Sequence, residues 1–188
     1  KVRITAQLIE ASSGFHLYSK KFDRELNDVF AVQDEISLAI LDAIKLELLE
    51  KDKEAVLKRY TDNLEAYELY LKGRFHMNTF MPDGLLQAIQ LFDAAIGLDS
   101  EYAIAYAEKA WCFSFLADNF GWPTVETRRK AIEAADYAYN RDPDIPESNL
   151  AIGRIKLHWD WQIEEAMKYF EKALSFNANN PQVHIQLG

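Results

Sequence analysis

Three times along this chain the same ladder of small and bulky residues recurs, and this repetition limits the fold more than any other feature. It reads Ala88, Phe92, Ala95 and then Ser100; Ala131, Ala135, Ala138 and then Pro143; Ala166, Phe170, Ala173 and then Ala178. The spacings are 4, 3 and 5 in every copy. Residues at i, i+4 and i+7 share one face of an α-helix, and a small side chain there lets two backbones approach closely. Upstream of each ladder an amphipathic segment carries a small residue at the matching point: Gly73, Ala110 and Gly153. Proline or a short polar residue then stops the second helix. Copies start near residues 66, 103, 146 and 181, and the last runs from Pro181 to Gly188. A helix pair leaves one apolar side uncovered, which the next pair buries. The pattern predicts a mainly α fold, a helix-turn-helix solenoid of about three and a half repeats near 63–100, 101–143, 144–178 and, in part, 179–188.

The first 49 residues are different. Val2, Ile4, Ala6 and Leu8 alternate with Arg3, Thr5 and Gln7, the period of a half-buried strand. Ser12, Ser13 and Gly14 signal a turn, and Phe15 to Phe22 supplies a returning strand. A lone hairpin is marginal in water, so it needs more sheet, the helices, or a second copy to pair with. Asn27 or Asp28 can cap a helix from about Val29 to Leu49, with Val32, Ile36, Ala39, Ile40 and Ala43 on one face. Residues 50–62 are assigned as a linker, in which the charge-rich Glu50 to Arg59 reads as a frayed helix end or linker, and Thr61 and Asp62 offer a new helix cap. The chain begins in a strand-like run and stops in a helix-like one, so we expect a piece of a longer protein.

Composition excludes several classes of function. Thirty acidic against 21 basic residues give a net charge of −9, which repels a phosphate backbone, so no nucleic acid is expected on this segment. No run approaches the ~18 consecutive apolar residues of a membrane span. The single cysteine, Cys112, forms no internal disulfide and reads as a buried small hydrophobe, which fits a reducing, cytoplasmic compartment. His16, His76, His158 and His184 have no metal-ligand spacing and no carboxylate beside them at such spacing, so no metal is expected. Glu164, Glu165 and Asp136 read as solvated surface acids rather than an acid/base pair. No phosphate-cradling glycine loop or nucleophile elbow occurs, so neither a cofactor nor a catalytic residue is expected.

The ladder and its period resemble those of tetratricopeptide repeats over roughly residues 63–188. The turns depart from that pattern, with about three extra residues around Phe80, Met81 and Pro82, and about nine through Ala117 to Pro123 (ADNFGWP). A narrower resemblance covers the whole chain. The segments VRITAQLIEASSGFHLYSKKFDRELNDVFAVQDEI, YTDNLEAYELYLKGR and HWDWQIEEAMKYFEKAL are similar to a bacterial signalling family in which a TolB-like α/β domain is followed by tetratricopeptide repeats. That resemblance implies that residues 1–49 are the C-terminal hairpin and helix of the TolB-like domain. It also implies an upstream effector, which in that family is a winged-helix domain, a class III adenylate or guanylate cyclase, or a Ser/Thr kinase.

In tetratricopeptide arrays the first helix of each pair lines a concave surface on which partners dock. The resemblance therefore implies groove positions at Tyr67, Tyr70, Arg74 and Asn78, then Ala107, Trp111 and Phe115, then Leu150, Arg154 and His158. Arg74, Trp111 and Arg154 fall at the same point of successive repeats, a line that suits an acidic or aromatic peptide. The alternative is that Trp111 and Phe115 pack between repeats while the arginines bridge neighbouring acids. Phe120 and Trp122 are candidate loop contacts, read either as a docking knob or as a cover over adjacent helices. Trp159, Asp160 and Trp161 read as a packed turn with the aspartate capping the next helix. The expected function is a non-catalytic protein-interaction or sensing module of a bacterial signalling or transcriptional regulator. The alternative is an oligomerisation module in which the hairpin edge pairs two chains into a homodimer that controls an attached effector; an enzyme in its own right is a distant third.

Overall fold

A computed structural model describes residues 2–24, 29–44, 58–122 and 124–187. The proposed caps at Asn27 and Asp28, the end of the first helix beyond Ile44, most of the 50–62 linker, Pro123 and Gly188 lie outside the described residues. The chain divides into two compact units, with the boundary between Arg59 and Tyr60.

In the first unit, β1 (Val2–Ile9) pairs antiparallel with β2 (His16–Arg24). Ile4 faces Phe22 and Leu8 faces Tyr18, so the alternating apolar residues fall on one face. The chain reverses through Gly14 at φ 70°, a left-handed conformation that glycine adopts without strain. Helix α1 (Val29–Ile44) packs on the hairpin, burying Phe22 of β2 and Val32 of α1. Ile36, Ala39 and Ile40 are partly buried. Lys20 binds Glu35 at 3.3 Å, and Arg59 pairs with Asp34.

The second unit is a succession of helix pairs. They are α2 (Leu64–Met77) with α3 (Pro82–Leu98), α4 (Ala103–Phe120) with α5 (Thr124–Arg141), and α6 (Pro146–His158) with α7 (Ile163–Phe176). A short α8 (Pro181–Leu187) follows. The mainly helical, repeat-like architecture behind an N-terminal hairpin is the one the ladder predicts. All nine ladder residues, from Ala88 to Ala173, are fully buried.

The reason for each glycine is visible in its neighbour. A Cβ on Gly73 would lie 2.5 Å from the Phe92 ring, and one on Gly153 the same distance from the Phe170 ring. The middle pair solves the same packing with two small residues, Ala110 in one cluster with Ala135. Large against none and small against small fill comparable space, as close packing requires.

Several local expectations need correction. Helix α2 is capped by Asn63, whose side chain accepts from the Ala66 amide at 3.0 Å, not by Thr61 or Asp62. Thr61 instead accepts from the Asn63 amide and donates to Asp99 at 2.5 Å, fastening the start of α2 to the end of α3. The ADNF part of the second insertion is not a loop. It extends α4 to Phe120, and Gly121 then ends the helix at φ 60°. Asp160 does not cap α7; that position is Gln162, and Asp160 binds Lys156 at 3.2 Å. The turn is packed only through Trp159, because Trp161 is 80% exposed.

Candidate functional site

The candidate groove residues come from the first helix of each pair, α2, α4 and α6. On α2, Tyr70 is buried and Tyr67 partly so, both against the main core. Asn78 is exposed at the C-terminus of α2, where its amide donates to the Arg74 carbonyl at 3.1 Å. Ala107 and Leu150 are buried core. Trp111 is buried and stacks on Phe115 with centroids 4.8 Å apart. His158 is exposed and hydrogen-bonds Gln186 at 2.9 Å.

Both arginines of the expected line are engaged within the chain. Arg154 is 5% exposed; its Nε donates to Ser114 Oγ at 3.2 Å and its Nη2 to Asp118 at 3.0 Å. It also lies 5.8 Å over the Trp111 ring. Asp118 accepts a second bond from Trp159 Nε1 at 2.7 Å, so one carboxylate joins α4 to α6 and the following turn. Arg74 lies 3.5 Å from Glu108 on α4 and over the Tyr70 ring. The Arg154 guanidinium is thus matched by the Asp118 carboxylate, whereas Arg74, with its side chain partly exposed, lies beside Glu108.

Glu108 is 2% exposed. Burial first, and the Glu147 charge second, push its carboxyl up to about 8 against the pull of Arg74. Glu147, on the first turn of α6, is itself raised by burial. Burial also pushes the Tyr70 phenol well above 10 and the Cys112 thiol well above 9, so Cys112 sits as an inert core residue.

A pH dependence follows. The folded chain holds the Glu108 proton more tightly than the unfolded chain, where the carboxyl titrates near 4.5. The stability this group contributes is complete below 4.5 and lost as pH rises towards 8. Melting temperature is expected to fall by a few degrees between about pH 6 and pH 9, and Glu108→Gln to flatten that fall. Equal slopes in the two proteins would locate the titration elsewhere.

Of the two candidate loop contacts, Phe120 is 41% exposed and Trp122 turns inward against the core. Sequence reasoning missed Phe80, whose ring lies 5.9 Å from Trp111 and 5.8 Å from Phe115. Phe115 in turn is 6.2 Å from Phe120. These rings form one continuous aromatic ledge, with Trp111 beneath and the edges of Phe80 and Phe120 in solvent. Glu108 was missed as well, although a helical wheel places it with Ile104 and Cys112 on a buried face. Among the described residues no group of three His, Cys, Asp or Glu is placed to hold a metal, and no helix is long and apolar enough to cross a membrane.

No family model matches the chain. It is similar to a protein of Rhizobium meliloti (strain 1021) named "Putative adenylate cyclase 3", 26% identical over 167 residues. The match takes in 88% of this chain and 28% of that protein. This chain thus spans less than a third of its relative's length.

Proposed function

We propose that the chain is a non-catalytic interaction module of a larger bacterial signalling protein, a tetratricopeptide-type array that reads a protein partner. The observation that carries this is the aromatic ledge from Phe80, in the turn between α2 and α3, through Phe115 to Phe120 on α4, which joins two successive helix pairs. Rings that are fixed by stacking on one edge and open to solvent on the other lose little freedom when a partner covers them. Because Arg154 is buried against Asp118 while Phe80 and Phe120 are exposed, the ligand this face fits best is an aromatic or apolar peptide. The likeness to a protein named for adenylate cyclase supports a signalling setting, with a cyclase domain as the effector this module would serve. A random peptide library selected on the chain is expected to enrich sequences rich in aromatic and large apolar residues. Enrichment of acidic peptides, or none at all, would contradict this reading.

A further inference from the structure

Each helix pair turns through one residue in the left-handed region: Phe80 at φ 55°, Gly121 at φ 60° and Trp161 at φ 57°. A residue with a side chain is strained there, and surrounding contacts must offset it. Gly121 carries no such strain. Phe80 offsets it by packing its ring on Trp111 and Phe115. Trp161 does neither: its indole is 80% exposed and touches no other ring among the described residues.

The turn holds the indole outward. The Trp159 and Asp160 amides both donate to the Ile155 carbonyl, and the Gln162 amide donates to the Lys156 carbonyl at 2.9 Å. Lys156 closes the turn from the side, donating to Gln162 Oε1 at 3.0 Å and pairing with Asp160. Beside the indole, Gln162, Ile163, Glu164 and Glu165 complete a surface concavity of about 400 Å³. Ile163 is 57% exposed.

Charge says what fits. Glu164 and Glu165 line the concavity with the indole, Asp160 precedes it in the chain, and Lys156 is shared between Asp160 and Glu165. Glu164 has no ion-pair partner among the described residues. Lys168, one turn further along α7, lines the neighbouring concavity with Tyr139, Tyr169, Lys172 and Glu165, which borders both, so Glu164 is the carboxylate left to a ligand. An indole face beside carboxylates in excess is the chemistry that holds a guanidinium or ammonium group.

We propose that the turn between α6 and α7 is a docking surface for a protein segment that presents arginine or lysine next to an apolar residue. The cation stacks on Trp161 and pairs with Glu164, while the apolar residue covers Ile163. This surface involves no residue of the aromatic ledge, so either can fail without the other.

The test is a titration of the ¹⁵N-labelled chain with acetyl-Leu-Arg-Leu-Arg-amide, and with the same peptide carrying glutamate for arginine. Trp161→Gly assigns the Trp161 indole resonance and removes the strained side chain, so its melting temperature should match or exceed that of the parent. The arginine peptide is expected to shift the Trp161 indole resonance saturably, the glutamate peptide not to. Changing Glu164 and Glu165 together to glutamine should weaken binding roughly tenfold. No saturable shift up to about 5 mM peptide, an equal shift with the glutamate peptide, or full affinity in the glutamine variant would overturn the proposal.

Discussion

Replacing Phe170 by alanine is expected to lower stability by about 3–5 kcal/mol, measured by chemical denaturation of the chain. The ring is fully buried and fills the space that Gly153 leaves open, with only 2.5 Å between it and a Cβ built on that glycine. Deleting the ring leaves a cavity that a glycine cannot reach across. Gly153→Ala alone should also destabilise, by about 1–3 kcal/mol, because the new methyl meets the ring. In the double variant the two losses should partly cancel, since Ala against Ala is the arrangement of the middle pair, Ala110 and Ala135. Strictly additive losses would show that glycine and ring do not share one slot, and the account of the ladder would fall.

The second large effect is expected at Asp118. Its carboxylate accepts from Arg154 and from Trp159, and Arg154 is buried. Burial pulls the Arg154 guanidinium down, and Asp118 opposes that pull. Asp118→Ala leaves a buried cation with Ser114 as its remaining hydrogen-bond partner, a change that costs about 3–5 kcal/mol. Adding Arg154→Met should restore most of the loss, because an apolar pair of similar volume is often as stable as a buried ion pair. A loss below about 0.5 kcal/mol in Asp118→Ala would show that Arg154 does not depend on it.

What could be read beforehand was what is local or periodic. The ladder exposes the helix pairs because each contact repeats at helical spacing, and Gly73 and Gly153 announce the bulky partner that follows. The hairpin is readable from the alternation of Val2 to Leu8 and the turn at Gly14. What could not be read depends on contacts between distant residues. Arg154 finds Asp118 across 36 positions and Thr61 finds Asp99 across 38. A charge in the sequence does not say whether its partner lies within the chain, so for Arg74 and Arg154 the sequence leaves open both an acidic or aromatic ligand and a bridge to neighbouring acids. The ADNF segment was hidden for another reason: nothing between Ala103 and Gly121 breaks a helix, so α4 simply continues. Trp161 departs from the packed turn that the sequence suggests, because its left-handed backbone leaves no trace in the sequence.

The affinity of a library-selected peptide for the chain, before and after Phe80→Asn with Phe120→Ser, tests the proposed recognition face most directly. Asparagine tolerates the left-handed backbone at position 80, and Phe120→Ser alone provides a milder variant if the double one loses stability. With the melting temperature unchanged, the double variant is expected to bind at least ~30-fold more weakly, equivalent to about 2 kcal/mol from two partly exposed aromatic contacts. Undiminished affinity in a folded double variant would contradict recognition by this face.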